Sequence, residues 1–141
     1  MSTVFVDTSG WIALLSRDDR LHARALTRYN DLSASGCHLV TNNYVVDETA
    51  TRLRYGLGLA AALGFRRMVL EAVATRRLRL AWVDEKAEAE AWRILEQYRD
   101  VKLSLTDAVC AVTARAARIT EVFGCDGDFE ALGFVVLPGS R

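Results

Sequence analysis

Short runs of β-forming residues alternate with longer segments of helical periodicity along this chain. Strand-like runs occur at Val4–Val6, His38–Thr41, Leu78–Val83, Glu121–Gly124 and Phe134–Leu137. Between them, Thr8 or Ser9 can cap a first helix, and further helices are predicted to begin near Asn42 or Asn43 and at Ser104. Helical spacing also covers Leu21–Leu32, Leu59–Ala74 and Asp84–Tyr98. Strands joined by helices need right-handed crossovers, so the alternation predicts an α/β fold. Its central sheet should be mainly parallel and covered by helices on both faces.

The composition is typical of one globular domain, which we expect to span residues 1–141. The chain has 51% hydrophobic residues and a single proline. Its cysteines, Cys37, Cys110 and Cys125, are odd in number and have no C-x-x-C spacing, which favours reduced thiols over disulfides or a cysteine-based zinc site. No basic segment precedes the first apolar run, and no apolar stretch is long enough to span a bilayer. We therefore expect a soluble, cytoplasmic protein without membrane contact.

Charge is balanced overall, with 18 basic and 18 acidic residues, but it is distributed unevenly. From residue 49 to residue 83 the ionisable side chains are seven arginines and Glu71. This segment is a candidate phosphate-facing surface, although arginines also commonly solvate the exposed faces of helices.

Four acids lie where such a fold brings side chains to one edge of the sheet, because ligands of open parallel sheets bind beyond the carboxyl ends of the strands. Asp7 and Asp126 each follow a predicted strand. Asp7 also suits a helix N-cap, and Asp126 is free for another role if Asp128 caps the short helix after it. Asp107 stands three residues after Ser104, the spacing of a capping box.

The fourth acid is ambiguous, because Asp47 and Glu48 are adjacent on the third helix. A helical wheel places them on opposite flanks of the apolar face formed by Val45, Val46 and Leu53. Periodicity does not choose between them.

Carboxylates that converge on one point repel one another and need cations to stay ionised. Hard oxygen ligands favour Mg²⁺ or Mn²⁺ over thiol-seeking metals. The acids therefore predict metal-dependent phosphoryl-transfer chemistry.

Four segments together resemble the motifs of the PIN domain family, in the same order and spacing and over essentially the whole chain. They are Val4-Phe5-Val6-Asp7-Thr8-Ser9, Asn43-Tyr44-Val45-Val46-Asp47-Glu48-Thr49, Ser104-Leu105-Thr106-Asp107-Ala108, and Cys125-Asp126-Gly127-Asp128-Phe129 ahead of Gly133-Phe134. The resemblance implies a Rossmann-like, three-layer α/β/α ribonuclease that uses Mg²⁺ or Mn²⁺. It selects Glu48 rather than Asp47.

Carried over position by position, the resemblance implies Asp7, Glu48, Asp107 and Asp126 as catalytic metal ligands, supported by Ser9 and Asp128. It also implies in-line hydrolysis that leaves a 5′-phosphate and a 3′-hydroxyl. Members often have a threonine two residues before the fourth acid, whereas this chain has Gly124, so a hydroxyl contact is expected to be missing there.

Chains of this length resemble the VapC-type toxins of toxin–antitoxin modules, which implies an RNA substrate, a small antitoxin partner and a homodimer. One alternative is an RNA-binding or partner-binding module that kept the fold without turnover. Another is a phosphoaspartyl receiver or phosphatase, which the absence of a lysine after a late strand disfavours. His22 and His38 are interpreted as bystanders, and Trp11, Trp82 and Trp92 as core residues.

Overall fold

A computed structural model describes residues 2–138, so residues 1 and 139–141 of the predicted domain lie outside the described part. The elements in chain order are β1 (Thr3–Val6), α1 (Thr8–Leu15), α2 (His22–Ala34), β2 (His38–Asn42), α3 (Asn43–Gly56), α4 (Leu59–Ala74), β3 (Leu78–Ala81), α5 (Glu85–Gln97), α6 (Leu105–Ala116), β4 (Glu121–Gly124), α7 (Asp128–Ala131) and β5 (Val135–Pro138).

The five strands form one parallel sheet in the order β3-β2-β1-β4-β5. The predicted α/β class is confirmed, and the mainly parallel sheet is parallel throughout. Val6 pairs with Phe123, which sets Asp7 beside Gly124 where β1 and β4 end. All carboxyl ends therefore lie at one edge, which we call the carboxyl edge.

The central strands are buried because helices cover them, and β1 accordingly reads as a continuous apolar run. Helix α1 approaches β4 so closely that a Cβ on Gly10 would lie 2.3 Å from the carbonyl oxygen of Phe123. Glycine at this position allows the close approach, which holds the start of α1 against the end of β4.

Of the polar residues that could cap α1, Asp7 does so, because its carboxylate accepts the Ser9 amide, and the helix begins at Thr8. Two local predictions are wrong. Asp128 is the first residue of α7 rather than its cap. Trp82 and Trp92 are 76% and 52% exposed, whereas Trp11 lies in the core as predicted. Among residues 2–138, no helix combines the length and apolarity needed to cross a membrane.

Candidate metal centre

Five carboxylates gather at the carboxyl edge, on four different parts of the chain. Asp7 follows β1, Glu48 lies on α3, Asp107 is in the first turn of α6, and Asp126 and Asp128 follow β4. We call these five residues the acidic cluster. The structure thus brings together the four predicted acids and Asp128.

Asp7 is the buried member of the cluster, with 3% of its surface exposed. Its Oδ2 accepts hydrogen bonds from the Ser9 hydroxyl at 2.9 Å and the Ser9 amide at 3.4 Å. Its pKa is raised from 3.8 to about 7, chiefly by burial and then by the nearby charge of Asp107, and those hydrogen bonds only partly oppose the rise. A proton or a cation is therefore needed to balance this carboxylate near neutral pH.

Asp107 belongs to the predicted capping box, whose two hydrogen bonds with Ser104 are both 3.0 Å long. Burial is the largest cause that raises its pKa to about 6. The charges of Asp126 and Glu48 add to the rise, while the hydrogen bonds from Ser104 oppose it. The cap therefore holds Asp107 in place without removing it from the cluster.

Asp107, Asp126 and Asp128 each place a carboxylate oxygen within 4.8 Å of the other two. Asp126 Oδ1 also accepts the Asp128 amide at 2.9 Å. Burial and then the Asp126 charge raise the pKa of Asp128. Three oxygens at this spacing can share a single cation.

Glu48 and Asp47 differ in where their carboxylates point. Glu48 is half-buried, and its charge contributes to the raised pKa values of Asp107 and the Cys110 thiol. Asp47 is exposed and contributes to neither. The orientation of α3 thus separates two residues that periodicity left equivalent.

The space beside Gly124 is filled by the Ser9 hydroxyl. A Cβ on Gly124 would lie 2.9 Å from Ser9 Oγ and 3.4 Å from the Asp7 Cβ. Ser9 Oγ donates to Asp7 and accepts the Cys125 amide at 2.8 Å, so it joins the ends of β1 and β4. The expected loss of a hydroxyl at Gly124 is therefore accompanied by a Ser9 hydroxyl that occupies this space and contacts Asp7.

Two residues near the cluster had no role in the sequence prediction. The Cys110 thiol lies 3.9 Å from Asp7 Oδ1, and burial keeps its pKa well above the usual range. Asn42 caps α3 through its Oδ1 and donates from Nδ2 to the Thr113 hydroxyl of α6 at 3.0 Å. Helical spacing in the sequence could have placed Cys110 near the cluster, because it stands three residues after Asp107 on the same helix face.

The predicted arginine surface is divided between distant places. Arg76 and Arg77 precede β3 and therefore lie at the amino edge of the sheet, opposite the acidic cluster. Arg52 lies one helical turn beyond Glu48 on α3. Of the histidines, His22 donates its Nδ1 proton to the Ala13 carbonyl at 2.7 Å, a structural contact, and His38 is exposed.

The donor set fits a hard divalent cation. All five groups are carboxylates, and no lysine or arginine among the described residues forms an ion pair with any of them. Oxygen-only sites favour Mg²⁺, Mn²⁺ or Ca²⁺. The raised pKa values of Asp7 and Asp107 express the repulsion and burial that a cation would offset.

A family model described as the PIN domain matches residues 4–135. The chain belongs to the PIN domain family. It is 32% identical over 132 residues to the 23S rRNA-specific endonuclease VapC20 of Mycobacterium tuberculosis, covering 94% of this chain and 95% of that protein. This PIN-domain protein therefore resembles a VapC toxin over nearly its whole length.

Solved structures agree with this fold. The crystal structure of Mycobacterium tuberculosis VapC20, described as a sarcin–ricin loop cleaving toxin, has a TM-score of 0.82 and 33% identity, and the match covers 94% of this chain and 96% of that one. A toxin–antitoxin complex from Klebsiella pneumoniae has a TM-score of 0.69 and 19% identity, covering 98% and 99%. The second likeness supports the PIN fold alone.

Proposed function

We propose that this PIN-domain protein is an endoribonuclease that hydrolyses RNA phosphodiester bonds with Mg²⁺ or Mn²⁺. The observation that carries the proposal is the acidic cluster, a set of uncompensated carboxylates at the ligand-binding edge of the sheet. Asp7, Glu48, Asp107 and Asp126 would hold the metal, with Asp128 beside them. We take the whole of residues 1–141 as one such domain.

A divalent ion held by these carboxylates would lower the pKa of water and neutralise charge on a phosphodiester. The protein's own part is to hold the carboxylates in position. Ser9 fixes one oxygen of Asp7, and the capping box fixes Asp107. Burial of Asp7 lowers the local dielectric, which strengthens its attraction for a cation.

We propose ribosomal RNA as the substrate class, with the sarcin–ricin loop as the first target to test. The support is the 32% identity to VapC20 over 94% of the chain. On the same ground we propose a toxin role, a small antitoxin partner and a homodimer. A toxin that cuts ribosomal RNA would act in the cytoplasm.

The test is cleavage of 23S rRNA by purified protein in Mg²⁺, Mn²⁺ or EDTA, beside the Asp7→Asn variant. We expect cuts that need metal, leave 5′-phosphate ends and disappear in the variant. Asp7→Asn should remain folded, and at least as stable without metal, because it removes a buried charge from a crowded site. Unchanged cutting by Asp7→Asn would refute the proposed centre.

A further inference from the structure

A groove runs along β3, the edge strand of the sheet. It joins a cavity of about 570 Å³ at the amino edge to another of about 290 Å³ at the carboxyl edge, and Arg79 and Ala117 line both. Arg76 and Arg77 stand at its amino end, and Trp82 directly follows β3 at its carboxyl end. We call this the β3 groove.

The β3 groove is strongly basic. Among the described residues no acid lines the amino-edge cavity, where His38 stands beside three arginines. Of the described residues that line the carboxyl-edge cavity, Asp84 is acidic, and its carboxylate already accepts the Ala87 amide as the cap of α5. None of the three guanidinium groups donates a hydrogen bond to a described residue. Their charges are therefore available to an anion.

Trp82 supplies a different chemistry in the same groove. This residue is 76% exposed, against 3% for Trp11, so it contributes little to the hydrophobic core. Trp82 shares the carboxyl-edge cavity with Arg79, while Arg76 and Arg77 line the cavity next to it. Cations with an exposed indole are the combination that single-stranded nucleic acid binds, with phosphates on the cations and a base stacked on the ring. The larger cavity is within the size range of small-ligand sites.

The direction of the groove connects it to the acidic cluster. All strands are parallel, so the carboxyl end of β3 opens at the edge where Asp7 follows β1, two strands away in the sheet. A chain that follows β3 from its arginines to Trp82 reaches the edge that carries the carboxylates.

We propose that the β3 groove binds an unpaired stretch of the RNA substrate and guides it to the acidic cluster. This inference rests on the proposed ribonuclease function. Arginines on an edge strand also discourage strand pairing between molecules. That role explains Arg79 but does not explain an exposed tryptophan at the end of the strand.

The test measures binding rather than cleavage. A fluorescein-labelled single-stranded RNA of about 20 nucleotides is titrated in EDTA with the full-length protein, by anisotropy at several salt concentrations. The double variant Arg76→Gln, Arg77→Gln is matched by Arg66→Gln, Arg67→Gln, which removes two adjacent exposed arginines of α4 outside the groove. Trp82→Leu is matched by Trp92→Leu, another exposed tryptophan outside the groove.

We expect the Arg76→Gln, Arg77→Gln variant to bind RNA about tenfold or more weakly than the wild type. The slope of log affinity against log salt concentration should become shallower by about 1.4, since each phosphate contact with a single strand contributes about 0.7. Trp82→Leu should weaken binding about tenfold, and both control variants should change it much less. Equal effects of groove and control variants would overturn the proposal, as would wild-type protein that binds no RNA.

Light scattering on the same samples separates RNA from a second protein copy as the occupant. If Trp82→Leu turns a dimer into a monomer and leaves RNA affinity unchanged, the groove is a subunit interface and the proposal fails. If the groove variants weaken RNA binding but no metal-dependent cleavage is found, the groove proposal stands and the ribonuclease proposal is refuted. If the protein cleaves RNA with metal but the groove variants leave its RNA affinity unchanged, only the groove proposal is refuted.

Discussion

At the scale of single residues, the pKa of Asp7 is raised because its own carboxylate is buried beside other carboxylates. Its identity as a candidate ligand was readable from the sequence, because it follows a predicted strand and starts a familiar motif. The interlocking of Ser9 and Gly124 was not readable, because it depends on the pairing of β1 with β4. A missing hydroxyl predicted from one position is accompanied by one supplied from another.

Gly124→Ala tests that interlocking. The new methyl group would displace the Ser9 hydroxyl and break its hydrogen bonds to Asp7 and to the Cys125 amide. We expect destabilisation of about 1–3 kcal/mol, measured by urea unfolding, together with slower cleavage.

The control is the same change in a Ser9→Ala background, where the crowded atom is absent. There Gly124→Ala should lower the free energy of unfolding clearly less than in the wild type, because the effects of mutations at contacting residues are not additive. Equal costs in both backgrounds would mean that Ser9 and Gly124 act independently.

At the scale of elements, the helices and strands followed from local patterns, while several of their ends did not. β4 was predicted over the residues that the structure shows, and α3 begins within the predicted positions. The cap of α1 was left open because several polar residues in a row can each cap a helix, and only the Asp7 carboxylate reaches the free amide. Trp82 was taken as core because an apolar pattern on an edge strand does not tell which face is covered.

Rotation of α3 about its axis decides which acid joins the cluster. We expect Glu48→Gln to reduce cleavage by at least about tenfold, since it removes a charge from the proposed metal site, and Asp47→Asn to change it little. Cleavage rates at saturating Mg²⁺ measure both. The opposite pattern would show that the helix is turned the other way in the active enzyme.

At the scale of the whole molecule, the acidic cluster makes metal-free stability depend on pH. Asp7 has a pKa of about 7 in the folded protein against 3.8 ordinarily, so the folded state holds its proton more tightly than the unfolded state between those values. Stability is therefore greatest at low pH within this window and falls as pH rises towards about 7. Asp107, with a pKa of about 6, acts in the same direction.

We expect the free energy of unfolding in EDTA to increase by about 2 kcal/mol for Asp7 alone when the pH is lowered from about 7.5 to about 5.5. Urea titrations at both pH values measure it, and Asp7→Asn should show a clearly smaller change. Added Mg²⁺ should raise stability at the higher pH. Metal-free wild-type protein that is equally stable at both pH values would contradict the proposed burial of charge.

The sequence by itself determined the α/β class, the order of the strands and helices, and the acids that follow strands, because these depend on local periodicity and on residues a few positions apart. Its motifs were enough to indicate the PIN domain family. The motifs also favoured Glu48 over Asp47, a choice with which the rotation of α3 agrees. Only the tertiary structure decided that Ser9 fills the space beside Gly124 and that Trp82 is exposed, beside Arg79, at the end of an edge strand. Each depends on how separate elements rotate and pack against one another, and contacts between residues far apart in the chain carry no local pattern from which they can be read.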